Sequence, residues 1–205
     1  MSALLEIRDL RFGWPGQPPL FTGLNASVGP GVSLVTGDEQ SGKTTLLRIL
    51  SGKLAPDGGR LVWHGEVVDG ASDAWQRQVF WIHPHTDRHD HASAVDWWTG
   101  LKTRYPRFSD KALDLLIEGF GLAPHLAKPL YMLSTGSKRK VWLCGAFAAG
   151  TPLTLLDQPF AALDGPAIRF MTELLQDVAT HPARAWLFAD FEAPPDVPLA
   201  ATITL

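Results

Sequence analysis

One cysteine in 205 residues, Cys144, excludes an internal disulfide and fits a reducing compartment. It stands in Val141-Trp142-Leu143-Cys144-Gly145-Ala146-Phe147, where it reads as a small buried hydrophobe. Excess charge is missing too. The 18 Lys and Arg stand against 21 Asp and Glu, a net charge of −3. That balance excludes a nucleic-acid partner held by broad phosphate neutralisation. No uninterrupted apolar run approaches the about 20 residues that a membrane helix needs. The opening Met1-Ser2-Ala3-Leu4-Leu5-Glu6-Ile7-Arg8 lacks the basic start and apolar core of a signal peptide. A cytoplasmic chain is expected, peripheral on a membrane only through a partner. Pro194-Pro195 is too short for a linker, and the length suits one domain, 1–205, with an outgrowth.

What is present is a phosphate loop. Gly37-Asp38-Glu39-Gln40-Ser41-Gly42-Lys43-Thr44 is a complete G-x-x-x-x-G-K-[ST] pattern. The apolar run Val32–Val35 before it reads as a buried strand. Thr45–Leu50 behind it has helical spacing and stops at Ser51-Gly52. Glycines let backbone N–H groups curl around a polyphosphate at a helix N-terminus, where the dipole favours negative charge. Lys43 then reaches the outer phosphates and Thr44 offers its hydroxyl to Mg²⁺.

Leu4–Leu10, Leu24–Val28, Arg60–His64 and Gln78–Ile82 read as strands, the first of them forming an antiparallel region before the loop. From about residue 90 to 133 the texture becomes helical. Ala94, Trp97, Trp98, Leu101 and Tyr105 share one helix face. Ala112, Leu113, Leu116, Ile117 and Phe120 share another, on a helix that Ser109 can cap. A helix over 134–149, a buried strand at Leu153–Leu156, a helix over Pro166–Ala179 and a strand at Ala185–Ala189 follow. Helices alternating with buried strands predict an α/β fold with a parallel sheet, and the segment at roughly 86–135 reads as a helical insert in it.

Several further motifs, taken in order, resemble those of the ATP-binding cassette family across nearly the whole chain. Leu133-Ser134-Thr135-Gly136 resembles the family signature Leu-Ser-Gly-Gly-Gln. Leu153-Thr154-Leu155-Leu156-Asp157 resembles its Walker B strand, and Ala161-Ala162-Leu163-Asp164 the loop after it. Trp14 stands where the family stacks an aromatic on adenine, although the residues alone leave a core role open. The resemblance implies a P-loop NTPase core and an ATPase that uses ATP and Mg²⁺. The cofactor-binding residues would be Trp14, Gly37, Asp38, Glu39, Gln40, Ser41, Gly42, Lys43, Thr44 and Thr45. Ser134, Thr135 and Gly136 would meet the γ-phosphate bound by a second copy, and Thr44 and Asp157 would hold the metal. It also implies a face-to-face dimer and a transmembrane transporter subunit as partner. Length and Trp81-Ile82 make the haem-export and cytochrome c maturation ATPases the most similar members.

Three positions depart from the family. Gln158 replaces the Glu that polarises the attacking water, and an amide cannot accept a proton. Its origin stays open between a naturally degenerate cassette and a replaced Glu that traps the ATP-bound dimer. Asp190 stands where a His contacts the γ-phosphate, and His83-Pro84-His85 where a Gln is expected. Gln158 and Asp190 are the candidate catalytic residues, and slow hydrolysis is expected. The run His83, His85, Asp87, His89, Asp90, His91 is either a metal site or a solvated loop packed on Trp81 or Trp97. With Trp97, Trp98 and Tyr105 it is expected to line a groove for a cytoplasmic coupling helix.

Overall fold

The computed structural model describes residues 3–205; Met1 and Ser2, which open the segment lacking signal-peptide character, lie outside the described residues. In chain order the elements begin with β1 (Leu5–Gly13), β2 (Pro19–Val28), β3 (Gly31–Thr36), α1 (Lys43–Leu50), β4 (Gly58–Trp63) and β5 (Glu66–Val68). Next come α2 (Asp73–Gln76), β6 (Val79–Phe80), α3 (Ala94–Arg104), α4 (Asp110–Gly119) and α5 (Thr135–Ala148). The last are β7 (Leu153–Asp157), α6 (Gly165–Ala179), β8 (Ala185–Ala189) and β9 (Ala201–Thr204).

Leu5, Ile7, Leu10 and Phe12 of β1 are buried, which is not a strict alternation. The register shifts between Ile7 and Leu10, and Asp9 takes a left-handed φ of 50°. This bulge absorbs one residue and returns Leu10 to the core side. The antiparallel sheet has the order β2-β1-β4-β5. The second sheet, β6-β7-β8-β3-β9, is parallel throughout. Every residue of β7 and β8 is buried, as strands covered on both faces must be.

One core lies between the antiparallel sheet, α1 and one face of the parallel sheet; the other lies between the opposite face and α3–α6. Cys144 is free and fully buried in the helical core, and burial pushes its thiol pKa up. Ser93 and Asp96 close a capping box at α3, and Ser109 accepts from the Ala112 N–H at 3.1 Å to start α4.

Several expected boundaries move. The strand expected over Gln78–Ile82 shortens to β6, because only Val79 and Phe80 find partners, Leu153 and Thr154. The one expected from Leu24 begins at Pro19, since β1 offers a partner as far as Gly13. Short β5, α2 and β9 were not foreseen.

The register sets up the site. Asp157 pairs with Ala189, and Ala189 with Val35, so β7, β8 and β3 end on one row. Gln158, Asp190 and the phosphate loop therefore emerge side by side at the carboxyl edge of the sheet, where open α/β sheets bind ligands.

Candidate functional site

The loop after β3 turns tightly at Gly42, whose φ is 102°, and a Cβ there would lie 2.8 Å from Leu20 Cδ2. Only glycine fits both demands. Helix α1 then starts with no side-chain cap and no acidic residue in its first turn. Its leading N–H groups face the loop unsatisfied, which makes them an anion cradle. Lys43 is buried, and its Nζ donates to the carbonyls of Gly37 at 2.6 Å and Asp38 at 2.8 Å. The same ammonium sits 4.7 Å from the centroid of the Phe191 ring.

A cleft of about 430 Å³ surrounds this loop, lined by Glu39 through Thr45 together with Trp14, Gln17, Leu20, Gln158 and Phe191. Trp14 is half-buried on the turn between β1 and β2, edge-on to Phe12 at 5.0 Å, with the Arg48 guanidinium 5.7 Å from its ring centroid. It lines the cleft and at the same time packs against the core under the antiparallel sheet. Gly37 and Asp38 give the lysine its carbonyl partners.

Asp157 ends β7 with 6% of its surface exposed, and its Oδ2 has no hydrogen-bond partner. Burial raises its pKa, while a hydrogen bond with the Thr44 side chain and the charges of His83 and Arg139 oppose the rise. Ser41 Oγ is likewise buried and unpartnered. A buried carboxylate with a free oxygen beside a threonine hydroxyl is a donor set that fits a hard divalent cation.

Gln158 lines the cleft with a left-handed φ of 46°, its N–H donating to Ala189 O at 2.8 Å. Non-glycine residues in that region cost on the order of 1–3 kcal/mol, and such strain clusters at functional sites. Asp190 does not line the cleft. It borders the neighbouring cavity of about 550 Å³ with Phe160, Ile168 and Arg169, and its Oδ1 accepts from the Phe191 N–H at 2.9 Å. Burial raises its pKa, with that hydrogen bond and Lys43 opposing. The group that reaches the loop lysine from this segment is Phe191, a residue the sequence reading passed over. Its only signal was an aromatic directly after the position where the family has His.

Ser134 caps α5, accepting from the Ser137 N–H at 3.1 Å. Together with Thr135 and Gly136 it stands outside the phosphate-loop cleft of the same chain. A Cβ on Gly136 would lie 2.3 Å from the carbonyl oxygen of Ala162, and Lys140 pairs with Asp164 at 2.6 Å. The signature segment is thereby fitted against the loop that follows Gln158.

A groove of about 870 Å³ opens between α1, β6 and α3, with Trp97 and Tyr105 in its lining. Trp98, expected there, is not in the lining: consecutive helix residues diverge by about 100°, and its Nε1 donates to Val141 O at 3.2 Å beneath α5. Among the described residues no group of three or more His, Cys, Asp or Glu could hold a metal ion. The histidines pack on aromatics instead, His83 on Trp81 at 6.0 Å, His89 on Trp97 at 6.0 Å and His91 on Tyr131 at 5.9 Å. Among the described residues no helix is long and apolar enough to cross a membrane.

The profile of the ABC transporter family matches residues 22–161. A cytochrome c biogenesis ATP-binding export protein, CcmA, of Paramagnetospirillum magneticum is 34% identical over 166 residues, covering 79% of this chain and 76% of that protein. A protein of the same name from Rhodospirillum rubrum is 35% identical over 165 residues, 78% of this chain and 69% of that one. Among solved structures, an ABC transporter ATP-binding protein from Pyrococcus furiosus shares the fold with a TM-score of 0.79 at 21% identity, over 98% of this chain and 96% of that one.

Proposed function

The chain belongs to the ABC transporter family as an ATP-binding subunit, and we propose that it hydrolyses ATP slowly in a face-to-face dimer to drive a transmembrane partner in haem export or cytochrome c maturation. The observation that carries this reading is the meeting, at the carboxyl edge of the parallel sheet, of an uncapped helix start, Lys43, and the buried Asp157 carboxylate, which is hydrogen-bonded to the Thr44 side chain and keeps one oxygen unpartnered.

The reading gives each residue a task. Backbone N–H groups from Gly37 to Thr45 cradle the polyphosphate, and Lys43 exchanges the Gly37 and Asp38 carbonyls for phosphate oxygens. Trp14 stacks on adenine. Thr44 and Asp157 are the residues that would hold Mg²⁺, which when bound neutralises charge on the phosphates. Ser134, Thr135 and Gly136 serve the nucleotide of the opposite copy, since they stand outside their own chain's cleft. The whole chain acts as one nucleotide-binding domain, with the helical segment 86–135 as a subdomain that meets the partner through the groove beside α3.

Gln158 can orient a water but cannot take its proton, and general-base catalysis is worth about 10² to 10⁴ in rate. The chain therefore binds and closes more readily than it turns over. Titration of tryptophan fluorescence with ATP and Mg²⁺ tests the site: quenching is expected in the unchanged chain, lost in Trp14→Ala, and shifted to far higher ATP in Lys43→Ala. Undiminished binding in Lys43→Ala sinks the assignment.

A further inference from the structure

The groove beside α3 carries a charge pattern at odds with the rest of the molecule. Its floor is apolar, with Phe80, Trp81, Ile82, Trp97, Leu101 and Tyr105. Its rim carries four cations, Arg48, Lys53, Arg88 and Arg104, on a chain whose net charge is −3. Arg48 and Lys53 come from α1 and the turn after it, Arg88 from the loop before α3, and Arg104 from the end of α3. Among the described residues none of the four takes part in an ion pair.

Their partners are neutral. Lys53 donates to Gln76 Oε1 at 2.7 Å, and Arg104 to the Gln76 carbonyl and the Tyr105 hydroxyl, both at 3.3 Å. The carboxylate in the lining, Asp96, is committed to capping α3, accepting from Ser93 Oγ at 2.7 Å and from its N–H at 3.3 Å. His83 and His89, on the wall, are held toward the neutral form by burial. The pKa of Lys53 is lowered, first by burial and then by Arg104 and Arg88. Like charges gathered over an apolar floor repel one another, and an anionic occupant relieves that repulsion.

Shape selects among anionic occupants. An α-helix about 10 Å across fills about 420 Å³ per turn of 5.4 Å, so the groove holds about two turns. Trp97 and Tyr105 lie recessed beneath the charges, at 7% and 5% exposure. A flat lipid surface does not reach them, whereas a helix with one apolar face does.

We infer that this groove receives an acidic amphipathic helix of the transmembrane partner, with apolar side chains on the tryptophan floor and carboxylates against Arg48, Lys53, Arg88 and Arg104. The inference rests on the reading of this chain as a partner-coupled subunit. It adds the chemistry of the docking segment, which that reading leaves open.

Gly100 lies exposed on the α3 side of the groove, and a Cβ there meets nothing within 4 Å. Gly100→Trp therefore obstructs the groove without strain, whereas the pair Arg88→Glu, Arg104→Glu reverses charge at its rim without filling it. Affinity for the co-expressed transmembrane partner in detergent is measured for the unchanged chain and both variants, with ATP binding as the check of folding. Both variants are expected to lose affinity, the charge-reversed pair by about tenfold or more. A labelled helical peptide with a leucine face and a glutamate face should bind the unchanged chain, more weakly as salt rises. Its lysine counterpart should bind only the reversed pair. If the reversed pair keeps its partner while Gly100→Trp releases it, the acidic occupant is overturned and the docking reading survives. If both variants keep the partner, the docking reading falls as well. If phosphatidylglycerol vesicles bind the unchanged chain and the glutamate peptide does not, the surface reads lipid and the inference is overturned.

Discussion

Arg139 donates its Nη1 proton to the main-chain carbonyl of Asp157 at 2.8 Å, tying the helix capped by Ser134 to the strand that ends in the Asp157 carboxylate. Arg139 is 4% exposed. Burial lowers its pKa, and the charges of Asp157 and Asp190 oppose that. Arg139→Met keeps much of the volume but leaves the carbonyl without its donor and the two carboxylates without a nearby cation. A loss of about 1–3 kcal/mol is expected for such a buried group. Urea denaturation measures it, and an unchanged midpoint would show that the link is dispensable.

Gln158→Glu places a carboxylate where a proton acceptor is missing. Steady-state phosphate release should rise by about one to three powers of ten, within the range of general-base catalysis. Asp190 limits the recovery, because its carboxylate is turned onto its own backbone and the usual histidine contact stays missing. Equal rates in the two forms would show that another group positions the water.

Gly136→Ala sets a methyl group against Ala162 O, at a separation of 2.3 Å before relaxation. Ala162 has little room to retreat, being held at a φ of 62°. The start of α5 must shift, so ATP-dependent dimerisation on size exclusion should weaken far more than ATP binding by the single chain. Overpacking of this kind costs about 1–3 kcal/mol. Equal losses in the two assays would place Gly136 in folding alone.

His181 gives the protein a stability that drains with acid. Its Nδ1 accepts from the N–H groups of Ala183 and Arg184 at 3.2 and 3.1 Å, which requires an unprotonated ring nitrogen. Burial, then the Arg184 charge, lowers its pKa below the ordinary 6.5. The unfolded chain then takes up the proton first, so the contribution is complete above that value and is lost as pH falls through it. The melting temperature should drop between about pH 7.5 and about pH 5.5, and less steeply in His181→Asn. His83 and His89 shift the same way, so some slope should remain. A flat profile in the unchanged chain contradicts this assignment.

The phosphate loop and the Walker B strand were legible because each is a contiguous pattern with a local physical cause: a left-handed glycine, and an apolar run ending in an acid. Phe191, Arg139 and Gln17 were not. They reach the site through strand register and chain reversal, which no spacing along the sequence encodes. Trp98 misled for a similar reason: Trp97 and Trp98 both pack on α5, but only Trp97 also reaches the groove. The charge of the groove was equally hidden, because Arg48, Lys53, Arg88 and Arg104 are scattered over some fifty residues and converge only when α3 folds back beside α1.

Leu155 and Leu156, adjacent on β7, belong to opposite cores, as do Leu187 and Phe188 on β8 and Leu34 and Val35 on β3. Each strand is thus half of both interiors, and stripping either layer bares a row of apolar side chains to water. Melting should be concerted for this reason. Trp75 in one core and Trp142 and Trp186 in the other should report the same midpoint. The two parts of the proposed nucleotide site, a loop seated on the helix of one core and a carboxylate on a strand common to both, then share one cooperative fate. Heat that frees the lysine also frees the acid.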